Sequence, residues 1–203
     1  MQHDSDQSRT MPRLQRGSSL RAPIALLPFL LAAMGPSLGG CRGSGTGTPK
    51  AKRDWAASPA VVTVSGATEI YAVGDLHGDL NVAARLLSSV GLISTSTPFH
   101  WTGGTKVVVV LGDVIDKGTG ALPIIDLLST LETEARAAGG QVIVTLGNHE
   151  AEFLADPTDS KSLVFQTELM AKSLDPERIA AGDTKYGTWL LQRQGSPRVE
   201  RGR

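Results

Sequence analysis

The stretch that decides the fold is VVVVLGDVIDKGTG, Val107 to Gly120. An unbroken run of β-branched residues reads as a strand covered on both faces. The run stops at a glycine and delivers Asp113 and Asp116 into a glycine-rich loop. Carboxylates at the mouth of a buried strand need an explanation, because charge taken out of water without a partner is costly.

The same punctuation occurs twice more. EIYAV, Glu69 to Val73, runs into GDLHGD, Gly74 to Asp79, and QVIVTL, Gln141 to Leu146, runs into GNHE, Gly147 to Glu150. Between these strands lie two helical patterns. LNVAARLLSSV sets Leu80, Ala83, Leu86, Leu87 and Val90 on one face. ALPIIDLLSTLETEARAA carries polar residues at Asp126, Ser129, Glu132 and Arg136 and stops at Gly139 and Gly140. The order βαβαβ predicts an α/β fold with a mostly parallel sheet. Right-handed crossovers put all three strand C-termini on one edge, and ligands of open α/β sheets bind outside that edge. Asp75, His77, Asp113, Asp116, Asn148 and His149 are therefore expected to converge.

Carboxylates, an imidazole and an amide oxygen are metal ligands of the mixed kind that suits Mn, Fe or Zn. Gathering Asp75, Asp113 and Asp116 without cations would bring severe like-charge repulsion. Two ions about 3.5–4 Å apart, bridged by one carboxylate, relieve it. Asp113, on the central strand, is the best-placed bridge. Asp79 reads as the cap of the following helix, Glu150 and Glu152 as a solvated helix start, and Trp101 and Trp189 as packing. TGGTK, Thr102 to Lys106, precedes a strand and lacks the spacing of a phosphate-binding loop.

GDLHG, GDVIDKG and GNHE, in that order, resemble the three-part signature of the calcineurin-like metallophosphoesterases, and within them the Shewanella-like branch of the phosphoprotein phosphatases. The resemblance covers about Glu69 to Glu152, with a weaker similarity through YGTWLLQR. It implies the N-terminal half of a β-sandwich flanked by helices, a dinuclear metal site and hydrolysis of phosphoserine, phosphothreonine or phosphotyrosine. It also implies roles. Asp75 and His77 hold the first metal, Asp113 bridges, and Asn148 holds the second. His149 protonates the leaving oxygen, Asp116 orients it, and Lys117 meets the substrate phosphate. Two departures stand out. Lys117 replaces the usual arginine and loses its planar two-pronged grip on phosphate. No histidine follows His149, although the family's second metal takes two from the C-terminal half. His100 precedes the second strand, at the end remote from the site. The family also continues into a strand ending in histidine, where this chain has GSPRVERGR. These departures lead to the expectation of a C-terminally truncated domain whose second metal binds poorly. One sheet face would then be bare around Val107–Leu111 and Val142–Leu146. The alternative is a non-catalytic surface lipoprotein that binds at most one metal.

Composition agrees with one domain of ordinary size. The 203 residues balance 20 basic against 20 acidic side chains, which gives no electrostatic argument for nucleic acid. Aromatics at 4% argue against a base-stacking surface. Ahead of the domain, Arg9, Arg13, Arg16 and Arg21 precede the proline-broken apolar stretch APIALLPFLLAAMGPSL, which ends at LGGC, Leu38 to Cys41. Basic start, apolar middle and small residues describe an export signal, with Met11 an alternative start. The ending resembles the lipobox of bacterial lipoproteins, which implies lipid on Cys41, the sole cysteine. A buried helix with an incidental cysteine is the competing reading, and three prolines disfavour it. The expected organisation is a signal over 1–41, a flexible Gly/Ser/Thr/Pro tether over 42–66, and a partial metallophosphoesterase domain over 67–203. The expected location is outside the cytoplasm, anchored to a membrane and facing the periplasm or cell surface. If so, Cys41→Ala should move the protein from the detergent phase to the aqueous phase in a detergent-partition assay. Unchanged partition rules the lipobox out.

Overall fold

The computed structural model describes residues 53–200. The signal expected over 1–41, Cys41 and the first part of the tether lie outside the described residues. Within them, no helix is long and apolar enough to cross a membrane.

The elements run β1 Val61–Ser65, β2 Ile70–Val73, α1 Leu80–Ser89, β3 Val107–Val110, α2 Ala121–Ala137, β4 Gln141–Val144, α3 Asn148–Ala155, α4 Leu163–Ala171, α5 Pro176–Ala181, α6 Lys185–Leu191 and β5 Ser196–Glu200. β2, β3 and β4 form a parallel sheet with β3 central. Val73 stands beside Val110, and Val110 beside Val144. The three strands therefore end at one level, and the loops that follow leave from a common edge, as the βαβαβ order requires.

Both faces of β3 are covered. On one, Val108, Val110, Val142 and Val144 pack with Leu87, Ile125, Leu128, Phe153 and Phe165 from the helices. On the other, Val107, Val109 and Ile143 pack with Val64 and the partly buried Val62 of β1. This corrects the expectation of a bare sheet face: Val107 to Val110 and Val142 to Val144 are buried, and only Leu111 is exposed, at 50%. The cover comes from β1, and a further strand, β5, pairs with it; the sequence reading assigned neither. β1 lies inside the stretch 42–66 expected as tether, which is corrected over Val61–Ser65. β5 forms within GSPRVERGR and pairs parallel with β1. A strand thus stands where the sequence reading placed none. Gln194 joins the layers: its N–H donates to Val144 O (3.2 Å), its carbonyl accepts from Leu146 N (2.8 Å), and the next N–H, of Gly195, reaches Ala60 O (2.9 Å).

Helix ends follow local chemistry. Asp79 caps α1 by accepting from Val82 N at 2.9 Å. The buried stripe of α1 is Ala83, Ala84 and Leu87, not the set that included Leu86 and Val90, which are 43% and 36% exposed. α2 closes with Gly139 at φ 80° and Gly140 N donating to Ala135 O at 2.8 Å, a left-handed glycine cap. Its N-terminus begins at Gly120, which has no side chain to cap it. Glu168 of α4 does so from outside, accepting from Ala121 N (3.0 Å) and Leu122 N (2.9 Å).

Burial pushes the Glu168 carboxyl up from its ordinary value, against the pull of those two N–H bonds. A raised folded pKa makes the folded state hold the proton more firmly. The stability this contributes is complete below the ordinary value and is lost as pH rises through the raised one. Glu168→Gln should remove that slope from urea-unfolding free energies measured across mildly acidic pH. Glu168→Ala, which takes away both caps, should cost about 1 kcal/mol near neutral pH.

Candidate metal centre

Three loops meet at the common edge, and glycines let them touch. A Cβ on Gly78 would lie 2.5 Å from Gly118 O, which ties the first loop to the second. A Cβ on Gly112 would lie 2.3 Å from Gly147 N, and one on Gly147 would lie 2.2 Å from both Asp113 N and Asp113 Oδ1. Side chains at these positions would push the loops apart. Two cross-loop bonds add to the contact: His77 N donates to Asp113 O and Gly78 N to Val114 O, both at 2.8 Å.

The result brings His77, Asp113 and His149 together, with one ligating atom from each within 4.8 Å of the others. Asp75 flanks the group, its Oδ2 lying 3.7 Å from His77 Nε2, and its side chain is 67% exposed. Asn148 lies beside Asp113. As placed, its amide oxygen faces only acceptors, among them Asp113 Oδ2 at 3.1 Å; turning the amide would make this a hydrogen bond. As placed, the NH2 also faces the His149 N–H, and turning the amide satisfies both contacts, the oxygen then accepting from His149 N at 3.3 Å. His77 Nδ1 lies 3.4 Å from Ile115 O. Placing the proton there leaves Nε2 a lone pair for a metal, the usual arrangement of a ligating histidine. The residues present therefore fit a cation.

Within that group the His149 ring lies 5.0 Å from that of His77, centroid to centroid and nearly perpendicular. Its Nδ1 is 3.3 Å from Asp116 Oδ2. Asp116 is 2% exposed and is fixed in turn, Oδ1 accepting from Phe165 N of α4 at 3.0 Å. Lys117 is exposed, yet its Nζ reaches back to within 2.8 Å of His77 Nε2. A metal on that atom must displace the ammonium, a contact the sequence did not suggest.

The residue that sequence reasoning missed is Glu150. It was expected on a solvated helix start and is 1% exposed. Its Oε2 accepts from Asp113 N and Gly147 N, each at 2.9 Å. Its Oε1 accepts from Val114 N at 2.8 Å and Ile115 N at 3.0 Å. An acid at the third position of a helix usually closes its own N-terminus. Here that ordinary signal conceals a bond to a second loop. Glu152, by contrast, is partly exposed and pairs with Lys161 at 3.3 Å. His100 is engaged elsewhere, with Nδ1 2.8 Å from Glu134 Oε1, about 20 Å along α2 from its start at the site loop. Trp189 is buried in the core, under the Arg193 guanidinium at 3.8 Å, and the Trp101 ring nitrogen donates to Gly104 O at 3.0 Å.

Residues 68–194, more than half of the chain, match the family model of the calcineurin-like phosphoesterases, and the chain belongs to that family. Shewanella-like protein phosphatase 2 of Arabidopsis thaliana is 44% identical over 81 residues, 40% of this chain and 20% of that protein. Shewanella-like protein phosphatase 1 of Plasmodium berghei is 35% identical over 82 residues, 40% of this chain and 22% of that protein. The chain thus spans about a fifth of the length of these two relatives. Among solved structures, the cold-active protein tyrosine phosphatase of a psychrophilic Shewanella species superposes with a TM-score of 0.54 at 24% identity. The match covers 69% of this chain and 42% of that one, and it speaks for the fold.

Gly147→Ala tests the packing of the loops. The added methyl has nowhere to go without moving Asp113, so unfolding stability should fall by about 2 kcal/mol or more. Denaturant unfolding of the purified variant measures it, and a loss within error means the loops part more easily than their spacing indicates.

Proposed function

We propose that this chain is a metal-dependent phosphoester hydrolase acting on phosphorylated protein, with Asp75, His77, Asp113 and Asn148 as metal ligands. The observation that carries the reading is the convergence of His77, Asp113 and His149 at the end of a parallel sheet, flanked by Asp75 and Asn148. Asp113 is the bridging ligand of a dinuclear site in this reading. Bound ions of the Mn, Fe or Zn kind supply Lewis acidity toward water and the phosphoryl oxygens. The chain's own groups do the rest. Asp116 orients the His149 imidazole through Nδ1, and the other ring nitrogen is the one that would give a proton to the departing oxygen. Lys117, freed from His77 by a metal, offers its ammonium to the phosphate as a point charge. The names of the relatives support protein-bound phosphate as the substrate class. Lipid on Cys41 and anchorage outside the cytoplasm remain part of the proposal and rest on the N-terminal sequence.

A second reading, one metal without turnover, is favoured by the donor set. Asp75, His77 and Asp113 furnish one cation, whereas the other keeps Asp113 and the neutral amide of Asn148. Elemental analysis joined to hydrolysis of p-nitrophenyl phosphate separates the two. The hydrolase reading expects metal bound to the purified protein and measurable turnover that Asp113→Asn lowers by a factor of about 100 or more. One metal per chain with no turnover establishes the second reading. No metal at all overturns both.

A further inference from the structure

We infer that Glu150 is a positioning residue of the metal centre, a buried group that fixes the Asp113 loop against the Asn148–His149 turn; the inference rests on the metal-binding reading above. Its carboxylate is buried and receives four N–H bonds. They divide by oxygen. Oε1 takes Val114 and Ile115, consecutive residues of one loop. Oε2 takes Asp113 from that loop and Gly147 from the other. Asp113 stands at φ 50°, a left-handed conformation uncommon for any residue but glycine, although aspartate tolerates it better than most. The Glu150 bonds on residues 113, 114 and 115 hold it there. Asp113 Oδ1 then accepts from His149 N at 3.2 Å, so the carboxylate proposed to bridge two ions is aimed by a chain of bonds that begins at Glu150. Glycine at 147 makes room for this, since a Cβ there would lie 2.7 Å from Glu150 Oε2.

This division makes Glu150→Gln informative. An amide keeps the volume but has one acceptor. Whichever way it turns, its NH2 faces two N–H donors, and either the pair within the loop or the pair across the loops is lost. The variant should still fold around the same core. In metal-free protein the amides of Asp113, Val114, Ile115 and Gly147 should exchange their hydrogens about 10-fold faster or more, and Mn2+ binding followed by calorimetry on the full chain should weaken by about 10-fold or more, as loss of a group supporting a ligand commonly does. Leu131→Ala, which removes a fully buried side chain of α2, provides the comparison. It should lower stability while leaving the Mn2+ affinity of the folded protein unchanged. If Glu150→Gln does not fold, Glu150→Asp takes its place with the same expectations, because it keeps both oxygens but withdraws them by one methylene. Wild-type affinity in the Glu150 variant, unchanged exchange at those amides, or an equal loss of affinity in Leu131→Ala each overturns the inference. Wild-type protein that takes up no Mn2+ fails the metal reading itself and is told apart by that result alone.

Discussion

Contact between glycine backbones is the constraint on which the centre depends. Gly78 meets Gly118, and Gly112 meets Gly147, at separations that leave no room for a Cβ. Three parallel strands ending in register bring the loops to one edge, but register alone leaves neighbouring strands about 4.8 Å apart. Side chains on both loops would hold the donor atoms farther apart than a shared cation permits. Glycine at these crossings lets His77, Asp113 and His149 come within 4.8 Å of one another.

Closeness of this kind creates an electrostatic problem, and backbone N–H groups answer much of it. Asp116, Glu150 and Glu168 are all nearly buried acids, and each accepts from the main chain of another element. Asp116 holds the start of α4, and Glu168 of α4 holds the start of α2. α2 in turn begins where the Asp113–Gly120 loop ends. That loop is thus fastened at its middle by Asp116 and at its far end by Glu168, while Glu150 fastens its beginning. These N–H bonds stand in for part of the solvation that burial removes.

Much of this was legible in the sequence because the chemistry is local. Val107–Val110 reads as a central strand from composition, Gly139–Gly140 as a helix stop, and Asp79 as a cap from its position before Leu80. The convergence of the three loops follows from strand order. What escaped was decided by tertiary partners. Val61–Ser65 alternates as a strand should, but it sits in a stretch whose Gly, Ser and Pro content reads as tether. Ser196–Glu200 contains a proline and is short, and it becomes a strand by pairing with β1. Missing β1 left the mistaken expectation of a bare sheet face. Glu150 was misread for a different reason. An acid in the first turn of a helix is common on surfaces, and nothing in the sequence marks this one as reaching back across 35 residues to Ile115.

The backbone itself shows where folding energy has been spent. The non-glycine residues with positive φ among those described are His77 (42°), Asp113 (50°), Asp116 (62°), Lys117 (62°) and Ser173 (56°). All but Ser173 belong to the centre. Each such residue costs about 1–3 kcal/mol, so the four together oppose folding by an amount comparable with the whole stability of a small domain. They persist because Glu150, Asp116 and the cross-loop bonds from His77 N and Gly78 N hold them. Apart from the Lys117 ammonium, which a metal on His77 must displace, the backbone of the centre is already in place. A ligand that needs His77, Asp113 and His149 side by side finds them so placed by the fold, and its binding energy need not be used to gather them.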